Sequence, residues 1–70
     1  MTTEMFEIKG DFIELCALLK IAGPKVSGGE AKQIILSGHV KVDGQVETRK
    51  KCKIRAGQIV SIGPCLVKLI

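Results

Sequence analysis

Arg49-Lys50-Lys51-x-Lys53-x-Arg55 packs five cations into seven positions. Like charges this dense repel one another, and a fold gains nothing by gathering them unless a polyanion offsets the repulsion. The chemistry they could do is phosphate neutralisation. If about four to six basic side chains displace counterions, log K should fall against log salt with a slope of roughly −3 to −5. A solvated charged face is the alternative for any charge run. Lys41, on the segment just before, raises the phosphate reading by adding a cation nearby.

A second anion site is written at Ser27-Gly28-Gly29-Glu30. Serine followed three residues later by glutamate is a capping-box spacing, so a helix should begin there with unpaired N–H groups and a positive dipole end. Gly28 and Gly29 have no side chains, which leaves the backbone open to close approach by a phosphate. Lys25 lies just before this terminus and Lys32 one turn inside it. A plain cap with solvated lysines is the alternative, and Glu30 favours it. His39, the lone histidine, could hydrogen-bond a phosphate or a 2′-hydroxyl, or could simply be structural.

Catalysis finds little support. No Ser-His-Asp set, Walker loop or dinucleotide fingerprint is present. Gly28-Gly29-Glu30 is explained by a helix cap, and Asp11 with Glu14 reads as a cap rather than an acid/base pair. Cys16, Cys52 and Cys65 are odd in number and form no C-x-x-C pair, so structural thiols in a reducing cytosol are expected, with no metal and no cofactor. Trp and Tyr are absent, and Phe6 and Phe12 read as core residues. Single-strand binders stack bases on aromatic platforms, so recognition here should rest on backbone and shape, which suits folded or double-stranded RNA.

The elements that must position these residues are short. A leading strand is expected at Met5–Lys9, where apolar and polar residues alternate. Asp11 and Glu14 should open a first helix running to about Lys20, with Phe12, Leu15, Cys16 and Leu19 as its stripe. Gly23-Pro24 breaks the chain before the helix capped by Ser27, whose stripe is Ala31, Ile34 and Ile35. Gly38 suits the left-handed residue after that helix. Val40-Lys41-Val42 then alternates into Asp43-Gly44, a hairpin signal. A two-residue loop would set Lys41 opposite Val46 and mix the faces. A three-residue loop, with Val40 opposite Val46 and Lys41 opposite Gln45, keeps them apart and is the expected register. Thr48 to Lys53 should form a basic crossing, followed by a turn at Ala56-Gly57-Gln58 and strands at 59–62 and 66–70 joined at Gly63-Pro64. The predicted class is α+β: a short leading strand, two short packed helices, then a β-hairpin and further antiparallel strands.

Seventy residues make one domain, 1–70, whose core is too small for a cleft with its own supporting shell. The net charge of +4 is unevenly placed: Ala31 to Arg55 holds seven basic residues against two acidic, while the first thirty hold five acidic against three basic. That asymmetry favours a polyanionic partner. No apolar run approaches membrane-spanning length and the acidic start is no signal peptide, so a soluble cytoplasmic protein is expected.

Taken together, S-x-x-x-A-x-x-x-I-x-x-G-x-V-x-V-[ND]-G, filled by Ser27, Ala31, Ile35, Gly38, Val40, Val42, Asp43 and Gly44, resembles the RNA-binding domain named after ribosomal small-subunit protein four. Gly57 and Ile59 match its closing segment, and Leu15, Leu18 and Leu19 sit where its first helix packs. The resemblance covers about Asp11 to Ile62 and is nearest to a subgroup of small stand-alone bacterial proteins. It departs at Gly28, where many members carry a basic residue after the capping serine. It implies an αL motif, a helix pair and hairpin that grip structured RNA, without chemistry of its own. The expected contact set is Lys25, Ser27, Lys32, Lys41, Arg49, Lys50, Lys51 and Lys53, the basic side chains meeting phosphates and Ser27 positioning the helix end. The expected partner is ribosomal or transfer RNA, with the ribosome itself a candidate; DNA and membranes are not expected, and a monomer is favoured. The alternative is a protein-interaction adaptor on the ribosome or on an RNA-modifying enzyme.

Overall fold

In a computed structural model that describes residues 2–70, Ser27 caps a helix as its spacing from Glu30 requires: its Oγ accepts the Glu30 N–H at 3.3 Å. The elements run β1 (Thr2–Phe6), β2 (Ile13–Glu14), α1 (Leu15–Ile21), α2 (Gly28–Leu36), β3 (Val40–Val42), β4 (Gln45–Val46), β5 (Lys53–Ile54), β6 (Ile59–Ile62) and β7 (Cys65–Leu69). Five strands form one sheet in the order β1-β7-β6-β3-β4, and β2 pairs with β5 in a separate two-stranded ladder. All pairings are antiparallel except β1 with β7, which closes the sheet edge in parallel.

The core lies between the helix pair and one face of the large sheet. α1 contributes Leu15, Leu18 and Leu19, the residue after it Ala22, and α2 Ala31 and Ile35. They meet Val40, Val60, Ile62, Val67 and Leu69 from the sheet and Ile54 from the small ladder. Each large aliphatic side chain so buried contributes roughly 1.5–3 kcal/mol. The turn between the helices is fastened to the sheet at Gly23, whose N–H donates to Glu4 Oε1 at 3.1 Å. Gly23 has φ +64, so a side chain is disfavoured by the backbone, although a Cβ there would meet Val67 Cγ2 at 3.4 Å in ordinary contact.

Four expectations are corrected. The leading strand occupies Thr2–Phe6 rather than 5–9, because its register is set by β7. The first helix begins at Leu15, not near Asp11: Ile13 and Glu14 are extended and paired with Ile54 and Lys53, and Glu14 takes the N-cap position without a side-chain bond. Its buried stripe is therefore Leu15, Leu18, Leu19 and Ala22, with Cys16 only half-buried. The hairpin takes the two-residue loop, with Lys41 opposite Val46 and Val42 opposite Gln45. Asp43 and Gly44 both have positive φ, +53 and +84, the signature of the turn whose twist matches the flanking strands. Keeping Val46 inside has no force here, because β4 is an exposed edge with Val46 57 % accessible. Finally, Phe12 is 38 % exposed and Phe6 half-buried, so neither lies within the closed core.

Candidate nucleic-acid interface

The basic run is held on a fastened backbone. The first two amides of α1 would be orphaned by a helix start without a side-chain cap. They find the run instead: Leu15 N–H donates to the Cys52 carbonyl and Cys16 N–H to the Lys50 carbonyl, each at 2.9 Å. The Cys52 N–H turns back onto the Arg49 carbonyl at 3.1 Å, and β5 continues the chain into its ladder with β2. The carbonyls face α1, while the side chains of Lys50 and Lys51 are exposed.

Two other cations of the run, Arg49 and Lys53, have partners. Arg49 donates from Nε to Glu47 Oε1 and from Nη2 to Oε2, both at 3.1 Å, and its N–H donates to the same carboxylate at 3.0 Å. These bonds from the Arg49 side chain and backbone hold the Glu47 carboxyl down at about 2 and push the guanidinium upward. Burial, then the neighbouring Glu47, pushes the Cys52 thiol up, away from thiolate chemistry. The Lys53 ammonium lies over the Phe12 ring, 4.9 Å from its centroid, within cation–π range. Arg49, Lys51, Cys52 and Lys53 together line an open cleft of about 440 Å³.

At the start of α2, the Ser27 oxygen is engaged by Glu30, which leaves it a positioning role. The approach over Gly29 is open. Gly28 is partly covered by a residue that the sequence reading passed over: a Cβ there would lie 3.6 Å from Lys20 Cδ. Its one signal was a lone lysine in the last turn of α1, legible only once the two helices are known to pack. Lys25 is exposed with φ +53, a conformation rare outside glycine, and its N–H is tied to the Ala22 carbonyl at 3.3 Å. Lys32 is exposed on α2.

Lys41 forms a third group. It points to the sheet face opposite the core, in register with Ser61 and Val46, and shares a cleft of about 400 Å³ with His39, Ser61 and Leu66. His39 Nδ1 is 2.6 Å from Ser37 Oγ, whose hydroxyl donates to the Ile34 carbonyl at 2.9 Å. With that hydrogen committed, Nδ1–H is the donor to Ser37 and Nε2 is left as an acceptor. The expected contact residues thus fall into three groups by their surroundings: the α1-pinned run, the α2 start and the open sheet face.

Among the described residues no three His, Cys, Asp or Glu converge as metal ligands, and no helix is long and apolar enough to cross a membrane. The three cysteines are free thiols.

Comparison with known proteins places this geometry. Residues 6–69 match the family model of the S4 domain. YbcJ of Escherichia coli strain K12 is 53 % identical over 62 residues, which cover 89 % of this chain and 89 % of that protein. YbcJ of Shigella flexneri matches to the same extent. The solution structure of E. coli YbcJ, described as revealing an αL motif involved in RNA binding, superposes with a TM-score of 0.65 at 48 % identity, covering 97 % of this chain and 85 % of that one.

Proposed function

This chain belongs to the S4-domain family, and from that premise we propose that it is a non-catalytic RNA-binding protein that grips structured RNA, ribosomal or transfer. The observation that carries the reading is the pinning of the basic loop. The Lys50 and Cys52 carbonyls accept the first amides of α1, so Lys50 and Lys51 are held out to solvent on backbone that is already ordered. An anion reaching them needs no loop to fold first, which lowers the entropic cost of binding. The α2 start, with Lys20, Lys25 and Lys32 around it, offers a second phosphate contact, and Lys41 a third. Such RNA is met on the ribosome, in the cytoplasm.

Affinity for a folded RNA, a single-stranded RNA and duplex DNA across a salt series tests this. Preference for the folded RNA with a slope of roughly −3 to −5 supports the proposal; a flat slope sinks it. The sheet face around Met5, Val46 and Ile59, which are 66 %, 57 % and 42 % exposed, favours one other reading: a protein-interaction adaptor. A complex that survives nuclease and high salt would identify that activity.

A further inference from the structure

Phe12 lines one cleft and touches a lysine that lines another. One, of about 410 Å³, is lined by Phe6, Glu7, Ile8, Lys9, Phe12 and Ile13. The other is the cationic cleft of Arg49, Lys51, Cys52 and Lys53. The 4.9 Å contact between the Lys53 ammonium and the Phe12 ring joins a residue of each. The first cleft falls within the roughly 300–1,000 Å³ typical of small-molecule sites and, like them, is mainly apolar with a few polar groups.

Both walls stand on hydrogen-bonded backbone. Phe6 to Lys9 continues β1, fastened by Ile8 N–H to the Ile70 carbonyl at 3.0 Å and by Ile70 N–H to the Phe6 carbonyl at 2.9 Å. Phe12 and Ile13 lead into the ladder in which Ile13 pairs with Ile54 and Glu14 with Lys53. Between the walls the chain reverses at Gly10, whose φ of +103 suits glycine alone. The cleft is therefore built before any ligand arrives. An apolar core would have taken Phe12 in; here the ring stays 38 % exposed with a cation on it.

An aromatic surface beside a cluster of cations matches one ligand chemistry in particular, a nucleotide: the base has a π-face for the ring and the phosphate a charge for the ammonium. An apolar peptide would leave Lys51 and Lys53, the cations of the second cleft that Glu47 does not pair, without an anionic counterpart. We infer that this cleft receives a single unpaired base of the bound RNA, stacked on Phe12, with its flanking phosphate on Lys53 and Lys51. The inference rests on the RNA-binding reading and deepens it. The molecule grips helical RNA by charge and adds one stacking site, so a bulged or looped-out base is what it selects.

The test uses the full chain and two RNA hairpins that differ only in a single bulged 2-aminopurine. The bulged hairpin should bind more tightly by roughly five- to a hundred-fold, the range expected for one base–aromatic stack. Its fluorescence should be quenched on binding. Phe12→Leu keeps an apolar side chain, should melt as the wild type does, and should lose both the preference and the quenching while binding the fully paired hairpin unchanged. Phe12→Tyr should retain them. Equal affinity of wild type for the two hairpins, or a Phe12→Leu variant that still prefers and quenches the bulge, overturns the stacking site and leaves RNA binding in place. Failure of the wild type to bind either hairpin overturns both.

Discussion

Asp43 and Ile59 are joined by two hydrogen bonds running in opposite directions: the Asp43 N–H donates to the Ile59 carbonyl at 2.8 Å, and the Ile59 N–H donates to Asp43 Oδ1 at 3.1 Å. Asp43 Oδ2 also accepts from Gln58 Nε2 at 3.1 Å, and Gln58 Oε1 accepts the Arg55 N–H at 2.7 Å. One carboxylate thus ties the turn of the hairpin that carries Lys41 to the end of the basic segment. Aspartate suits the position twice over, because it tolerates φ +53 and supplies both acceptors. Asp43→Ala should lower the melting temperature by a few degrees and speed hydrogen exchange at the Ile59 amide. Asp43→Asn, which keeps one acceptor and the turn preference, should lose less.

The same carboxylate and that of Glu47 set the acid response. Hydrogen bonds from Gln58 and the Ile59 amide hold Asp43 below its ordinary 3.8, and Arg49 holds Glu47 at about 2 against an ordinary 4.5. Both values are depressed in the folded state, so both contributions are complete above the ordinary values and are lost as pH falls through the folded ones. Melting temperature should be level down to about pH 5 and then decline toward pH 2. The decline should be shallower in Glu47→Gln and Asp43→Asn. A variant that follows the wild-type curve would show that its carboxylate plays no part.

Ser27 is expected to matter to folding before it matters to RNA. Its Oγ satisfies the Glu30 amide, one of the orphan donors of α2. Ser27→Ala should cost about 1 kcal/mol, a fall of roughly 4–8 °C in melting temperature for a domain of this size, and Ser27→Asp should restore it. At a temperature where Ser27→Ala is folded, its RNA affinity should stay near wild type.

What was legible in the chain was what is encoded locally. The Ser27–Glu30 spacing, Gly38 beyond the helix, and the turns at Gly57 and Gly63 each depend on a few adjacent residues, and each stands where the pattern put it. The cations from Arg49 to Arg55 were equally visible as a charge run. Pairings across the chain were not. Ile13 and Glu14 look like the first turn of an amphipathic helix, and only Lys53 and Ile54, some forty residues on, hold them extended. Parity fixes a hairpin register only where β4 has a buried face, and with both of its residues exposed the turn decides the register instead. Phe12 fits a helical stripe with Leu15 and Leu19 by spacing, and its exposure follows from that same ladder, which keeps the chain before Leu15 out of the helix.

The ion pair between Glu47 and Arg49 divides the basic run into cations that are free to act and one that is already answered. Lys50 and Lys51 are exposed with no acidic partner among the described ion pairs, whereas Arg49 is forked onto a carboxylate. Lys50→Glu/Lys51→Glu should therefore weaken binding to folded RNA strongly and make the salt slope shallower by about one for each lysine. Arg49→Gln should do much less, since it removes a charge that Glu47 cancels. The discriminating variant is Glu47→Gln. It leaves the loop pinned to α1 through the Lys50 and Cys52 carbonyls while releasing Arg49 toward phosphate. Affinity should rise, and the slope should steepen by about one. A salt series on the four proteins, each shown to melt cooperatively, decides it. If Glu47→Gln binds as the wild type does, Arg49 lies off the RNA whether or not it is paired, and the working surface narrows to Lys50, Lys51 and Lys53.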